Sequence, residues 1–454
     1  MEFLEINTNN HSSKITDSTN KRIYGEVKTD FNIIETYFLN MLPQELFKNK
    51  KLKWLDPGSG TGNFSISIFK RLMFSLEDEF INLDERKKHI IENMLYMVEI
   101  NSENCEILKK IFGEKANIYN SDYLSFYNEN KFDIIIGNPP FNSNGFKKVP
   151  TNTKESKLKD GNTIWIEFIK HSFELLNENG YMSMIVPAIW MKPDKAKVYD
   201  LLTSYKILKM KSFTNTQTNR MFNGEAQTPT TIFVLQNSKT DNVINIYDEK
   251  DKVSRYNLKK DNPIPIIGIS VINKLRQYVE QVGYIDVKKT NLPPKHVHIF
   301  EKKQNDSDYQ NITTCILNKN EPTMIYNYSF SPCPYYKKSK LVLAHGMYGF
   351  PFLDSEGLYG ISNRDKYVIM DKSVDDLIRL KKFLSTKLAL YIFECFKYRM
   401  KYLEKYAFEM IPDITKLKDF PEEITDESVI DYFKFTEYEK ENIISLHKKS
   451  YTTV

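Results

Sequence analysis

Lys53-Trp54-Leu55-Asp56-Pro57-Gly58-Ser59-Gly60-Thr61-Gly62-Asn63-Phe64 is the stretch that decides the fold. A short apolar segment runs into a loop with three alternate glycines, and an amphipathic stretch follows through Phe64, Ile66, Ile68, Phe69 and Leu72. Strand, Gly-rich turn and helix in that order make the nucleotide-cofactor entry of a doubly wound α/β fold, because glycine lets the backbone turn tightly and approach a ligand closely. The spacing is Gly-x-Gly-x-Gly rather than the dinucleotide Gly-x-Gly-x-x-Gly, and no Gly-Lys-Ser/Thr follows as in a P-loop. An acid placed before the glycines repels a pyrophosphate and attracts an ammonium group. That favours S-adenosylmethionine over NAD or ATP.

About 80 residues downstream, Phe132-Asp133-Ile134-Ile135-Ile136-Gly137 reads as a buried parallel strand that ends in Asn138-Pro139-Pro140-Phe141. Each proline fixes its own φ and lacks an N–H, and the residue before each is pushed out of the helical region. The Asn138 amide and the Pro139 carbonyl are thereby expected as fixed acceptors with an aromatic ring beside them. Such a set suits a planar heterocycle with an exocyclic NH2, which donates two hydrogen bonds while its ring stacks on Phe141. The plainer reading is an ordinary strand-to-loop turn, since Asn-Pro is a common turn dipeptide.

Together the two segments resemble the amino-methyltransferases, specifically the DNA adenine-N6 methyltransferases in which the cofactor motif precedes Asn-Pro-Pro-Phe. The resemblance covers roughly residues 22–237. It implies an α/β fold: a Rossmann-like S-adenosylmethionine-dependent catalytic domain over 21–240 and a mixed α/β target-recognition domain over 241–454, after a flexible tail at 1–20. It implies that Asp56, Pro57 and the backbone at Gly58, Gly60 and Gly62 face the methionine end of the cofactor. Glu99, closing Leu95-Tyr96-Met97-Val98, would accept from the ribose hydroxyls, and Asp122 from the cofactor adenine amine. Without the resemblance, Glu99 reads as a surface helix-cap residue and Asp122 as an N-cap. Tyr24-Gly25-Glu26-Val27-Lys28-Thr29-Asp30 resembles the segment lining the methionine pocket, with Thr29 as a cofactor contact. The family usually shows Thr-Pro where this chain has Thr29-Asp30, and a plain N-cap explains Thr29 nearly as well. The cofactor gap to Glu99 is long, and the charged stretch 77–92 reads as an inserted helical segment. Gly180–Pro187 reads as a strand after the helical Ile164–Leu176, and Thr230–Leu235 as a closing strand. Phe222 sits where the family places a second aromatic against a flipped base, and it reads equally well as core.

Composition sets outer bounds. A chain of 454 residues is expected to form two domains. No apolar run of the length that spans a membrane occurs, and the first 20 residues lack a secretory or transit pattern. The four cysteines, Cys105, Cys315, Cys333 and Cys395, lack metal spacing and fit a reducing, intracellular setting with no metal site. The net charge of +5 is unevenly spread: 27 Lys and Arg face 20 Asp and Glu over 241–410, and 6 face 10 over 411–454. The basic excess lies after the catalytic half, where a nucleic-acid reader belongs. The boundary is expected within 237–262, ahead of Pro263 and Pro265. Beyond it come a Tyr/Lys-rich region (Tyr326, Tyr328, Phe330, Tyr335, Tyr336, Lys337, Lys338, Lys340), a strand at Leu341–Ala344, and a helical stretch over Leu377–Met410. An interaction or oligomerisation module is the alternative for this half. Asn142–Asn162 is polar and lysine-rich, and Lys147 and Lys148 are candidates for a DNA-backbone contact on a lid, or for a solvated loop.

The resemblance implies that double-stranded DNA is the partner and that the target adenine is flipped out, because a stacked base cannot reach a buried cofactor. Asn138 and the Pro139 carbonyl would accept the two N6 hydrogens, and transfer would be direct. No cysteine nucleophile lies in the motif, which argues against cytosine-C5 chemistry. RNA adenine-N6 and cytosine-N4 methylation stay open, as do protein-glutamine methylation and a non-catalytic binding module. A separate restriction endonuclease is a possible partner. Asp286-Val287-Lys288 faintly resembles part of a metal-dependent nuclease, without an acidic partner upstream.

Overall fold

The computed structural model describes residues 27–142, 163–317, 322–344, 351–364, 366–399 and 403–446. The flexible tail expected at 1–20, Tyr24–Glu26, and Lys147 and Lys148 with the lid expected around them lie outside the described residues. The chain divides into two compact units after Asn262.

The first unit is built on one nine-stranded sheet with spatial order β3-β2-β1-β4-β5-β7-β6-β8-β9. Its centre comes from the two motif strands, β1 (Trp54–Pro57) and β4 (Phe132–Gly137). They are near-continuous apolar runs because both sheet faces are covered. β1 pairs parallel with β2 (Leu95–Glu99) on one side and with β4 on the other, with Trp54 opposite Leu95 and Ile134. β3 (Asn117–Asn120) pairs parallel with β2, and β5 (Leu176–Pro187) with β4. β7 (Thr230–Lys239) then inserts antiparallel between β5 and β6 (Tyr205–Phe213). This order, parallel at its centre with an antiparallel seventh strand, is the doubly wound α/β arrangement that the motifs implied. The parallel strands place their carboxyl ends, and the loops after them, along one edge where open α/β sheets bind ligands.

The catalytic domain was expected to end at 240; the sheet runs past it. β8 (Val243–Tyr247) pairs parallel with β6, and β9 (Val253–Asn257) pairs antiparallel with β8, so the first unit closes at the far end of the polar 237–262 stretch. The extension is tied down by charge. The ammonium of Lys211, buried on β6, donates to the Asp248 carbonyl at 2.8 Å and pairs with Asp251 at 2.7 Å, and the Tyr37 hydroxyl donates to the same Asp251 at 3.0 Å. Burial and that carboxylate push the Tyr37 hydroxyl up to about 12.

Helix α1 (Asn63–Ser75) follows the Gly-rich loop and buries Phe64, Ile66, Ile68, Phe69 and Leu72 in the core of this unit. Helix α2 (Ser102–Phe112) links β2 to β3, and α3 (Trp165–Leu175) precedes β5. The charged stretch before β2 is helical at Leu83–His89 and continues as a π turn, Ile90–Met94.

The second unit holds a helical part and two four-stranded sheets, one in the order Lys288–Lys289, Lys366–Ile369, Lys340–Ala344, Phe352–Asp354 and one in the order Ile299–Phe300, Pro322–Ser329, Tyr309–Leu317, Gly360–Ile361. The helix expected across 377–410 is broken into Val374–Leu384, Lys387–Cys395 and Lys405–Phe408. Thr386 causes the first break: its hydroxyl caps the following helix by accepting from Ala389 N. In the strand part, Lys340 and Asp354 form a fully buried ion pair. Lys340 Nζ also donates to the carbonyls of Lys338 and Tyr359, and Asp354 accepts from the backbone of Leu358 and Tyr359. Among the described residues no helix is long and apolar enough to cross a membrane, and no group of three His, Cys, Asp or Glu is placed to hold a metal ion.

Candidate active site

The loop after β1 turns through left-handed backbone at all three glycines: φ is +79° at Gly58, +53° at Gly60 and +95° at Gly62. Gly62 is required twice over, since a Cβ there would stand 2.8 Å from Leu108 Cδ2 on α2. The loop is laced to the end of β2. Gly58 N and Ser59 N donate to the Val98 carbonyl at 2.8 and 3.0 Å, and Gly60 N donates to Glu99 Oε2 at 2.7 Å. The other Glu99 oxygen accepts from Asn101 N at 2.8 Å. Glu99 is buried and fixed in both oxygens, which sets it apart from the surface helix-cap reading.

Asp56 does not face solvent; it is 1% exposed. Oδ2 accepts from Ser65 Oγ at 2.6 Å, while Oδ1 has no hydrogen-bond partner. Burial pushes the carboxyl up to about 7, the Ser65 hydroxyl works against that rise, and the nearby Glu99 carboxylate adds to it. A buried carboxylate oxygen without a donor, beside a loop stripped of side chains, fits a ligand that carries positive charge. This fits the sulfonium and ammonium groups of S-adenosylmethionine. Asp122 is exposed, and its side chain caps the short turn Tyr123–Ser125 by accepting from Leu124 N at 3.0 Å. That N-cap occupies one oxygen and leaves the other to accept.

The two motifs meet through Gly137. A Cβ at that position would lie 3.1 Å from Pro57 Cδ and 3.4 Å from Asp56 Oδ1, so a side chain there would push Pro57 back by a few tenths of an ångström and loosen the fit of β4 against β1. Asn138 follows, half-buried. Its Nδ2 donates to the Val27 carbonyl and to Thr29 Oγ1, both at 3.1 Å, which leaves Oδ1 as the side-chain acceptor. Thr29 is 3% exposed, and its carbonyl accepts from the Nδ2 of Asn63, the first residue of α1, at 2.8 Å. Phe141 is half-buried and packs on the core of this unit; its carbonyl accepts from Ile164 N at 3.2 Å. Phe222 follows the second of its two readings, that of a core residue. It is 2% exposed within that core, at the end of a helix over Asn215–Met221, and its ring packs against protein.

Thus Asp56, Pro57, the three glycines, Glu99, Thr29 and Asn138 are brought together, and Phe222 is not. Sequence reading passed over Gly137, Ser65, and Asn63 as a tether of Thr29. A glycine directly before Asn-Pro-Pro was the signal available for Gly137; nothing local marked Ser65 or Asn63.

Residues 61–222 match the model of the Eco57I restriction-modification methylase family. That span contains Gly62 but not Gly58 or Gly60, Glu99 at the end of β2, Asp122 after β3, and the Asn138–Phe141 turn. Relatives include the type II methyltransferase M.AccI of Acinetobacter calcoaceticus, 28% identical over 58% of this chain and 45% of that protein. Another is the tRNA1(Val) (adenine(37)-N6)-methyltransferase of Christiangramia forsetii, 26% identical over 37% of this chain and 65% of that one. A third is the type II methyltransferase M.VspI of a Vibrio species, 30% identical over 33% and 34%. The chain thus spans less than two thirds of the length of each. Among solved structures, the type IIL restriction-modification enzyme MmeI in complex with DNA is similar with a TM-score of 0.46 at 14% identity, over 87% of this chain and 69% of that one. The comparisons return restriction-modification methyltransferases, which agrees with the methyltransferase part of the resemblance read from the motifs.

Proposed function

We propose that this protein is a site-specific DNA methyltransferase that moves a methyl group from S-adenosylmethionine to the N6 amine of an adenine flipped out of double-stranded DNA. The observation that carries the reading is the Asn138 side chain, held by its nitrogen so that its oxygen accepts, at the end of the strand beside the glycine loop. When bound, S-adenosylmethionine supplies the activated methyl group. Gly58, Gly60 and Gly62 let the backbone approach it, Glu99 receives the ribose, Asp56 contributes negative charge behind the loop, and Asp122 keeps an oxygen for the adenine amine. Asn138 Oδ1 and the Pro139 carbonyl accept the two N6 hydrogens of the target, drawing the nitrogen lone pair out of conjugation with the ring. The turn's rigidity, set by Pro139 and Pro140, then supplies orientation, the main resource of a direct transfer. Phe141 offers the ring face for stacking.

The double-stranded DNA reading rests on the family matched over 61–222 and on the type II relatives. The basic excess over 241–410, with Lys337 and Lys338 exposed and Lys340 buried, would supply the sequence-independent part of DNA affinity through phosphate contacts. The tRNA adenine-N6 relative favours a second reading, the same chemistry on RNA. The deciding assay is transfer from labelled S-adenosylmethionine to unmodified double-stranded DNA and, in parallel, to tRNA, followed by nucleoside analysis. N6-methyldeoxyadenosine is expected. Product on tRNA alone overturns the DNA reading, and N4-methyldeoxycytidine overturns the adenine reading.

A further inference from the structure

The segment just before the helical turn Phe31–Ile34 touches the Asn138 turn in a way that a cofactor contact by Thr29 would not require. The Val27 carbonyl is purely an acceptor, so the Asn138 amide atom 3.1 Å from it must be the nitrogen. That assigns the amide orientation without reference to any ligand. The second hydrogen of the same nitrogen goes to Thr29 Oγ1 at 3.1 Å. Thr29 is in turn almost wholly buried, with its carbonyl tied to Asn63 at the start of α1. Asp30, next along, caps the following turn by accepting from Asn32 N at 2.8 Å, which keeps the backbone at this point from drifting.

We infer that Thr29 is a positioning residue for the transfer step: its hydroxyl locks the Asn138 amide so that Oδ1 points at the amine to be methylated. The inference rests on the proposed amine chemistry but names a role that reading does not contain. Val27 alone gives the amide one anchor, about which it can still swing. Two acceptors on one NH2 group define its plane. Because the Thr29 carbonyl is bound to the first residue after the glycine loop, the same threonine couples the placement of Asn138 to the placement of that loop.

The test compares Thr29→Val, which keeps the shape and removes the acceptor, with Thr29→Ser, which keeps the acceptor and removes the methyl group. Full-length proteins are assayed for S-adenosylmethionine affinity by calorimetry and for single-turnover transfer to DNA. The expected result is a loss of transfer of about tenfold in Thr29→Val, the scale of one hydrogen bond, with affinity within about threefold of wild type, and recovery in Thr29→Ser. Unchanged transfer in Thr29→Val overturns the inference. So does a loss of cofactor affinity in proportion to transfer, which would make Thr29 a cofactor contact, and so does equal impairment of both variants, which would make it packing. A crystal structure of Thr29→Val gives a readout independent of substrate. A rotated Asn138 amide supports the role and an unmoved one refutes it. Wild-type protein that binds the cofactor yet leaves DNA unmodified counts against the proposed function alone.

Discussion

Replacing Asp56 with asparagine removes an ionisable group that the fold holds out of water. Burial lifts this carboxyl from an ordinary 3.8 to about 7. Its folded-state value lies above its unfolded one, so the neutral acid favours the folded state fully below about pH 4. That benefit is lost as pH rises to about 7. Between about pH 5 and pH 8 roughly two of the three units are crossed, and at about 1.4 kcal/mol per unit the wild type gives up roughly 3 kcal/mol at this one site. Asparagine keeps an oxygen for Ser65 and cannot ionise. Its amide nitrogen near the unpartnered Oδ1 position adds a cost of about 1–3 kcal/mol, but that cost does not change with pH. The prediction therefore concerns the slope. At about 2–4 °C per kcal/mol for a unit of this size, the melting temperature of Asp56→Asn should gain roughly 6–12 °C on wild type between pH 5 and pH 8. The assay is calorimetric melting of the cofactor-free full-length protein across that range, reading the transition of the first unit. Parallel profiles for the two proteins would refute the argument, because they would mean that Asp56 titrates as an ordinary carboxylate.

Asn138→Ala should leave S-adenosylmethionine affinity largely intact while lowering transfer by about 100-fold or more, the scale of losing one aimed polar group at a reacting centre; equal loss of both would contradict its assigned role. Gly62→Ala places a Cβ 2.8 Å from Leu108 at a φ of +95°, so a destabilisation of about 1–3 kcal/mol in urea is expected, together with weaker cofactor binding. Lys340→Met strands the Asp354 carboxylate inside the second unit and should cost about 3–5 kcal/mol there, visible as an early unfolding transition with the first unit's melting unchanged. Binding to double-stranded DNA should fall steeply between about 50 and 200 mM salt, and a flat profile would remove the phosphate-contact account of the second unit.

The elements legible in the sequence share one property: their chemistry is local. The apolar run of β4, the prolines after Asn138 and the three glycines each impose a backbone conformation within a few residues, so the strand, the rigid turn and the loop could be read directly. The order of the motifs along the chain then implied the parallel sheet around β1. What the tertiary structure decided depends on pairs remote in sequence. Whether Phe222 meets a base or the core is a question of packing, and an aromatic residue suits both. The polar 237–262 stretch marked the boundary in the sequence, while the run of the first unit to its far end at Asn262 follows from β8 joining β6. The break at Thr386 is a capping bond that competes with helix periodicity and wins. Most of all, Asp56, Ser65, Gly137, Asn138 and Thr29 acquire their roles from distances of a few ångströms between β1, α1, β4 and the N-terminal segment. Sequence alone named most of those residues as chemically apt. Only the folded chain determined which amide atom of Asn138 is held, which oxygen of Asp56 is bare, and how closely Gly137 lets β4 approach both Asp56 and Pro57.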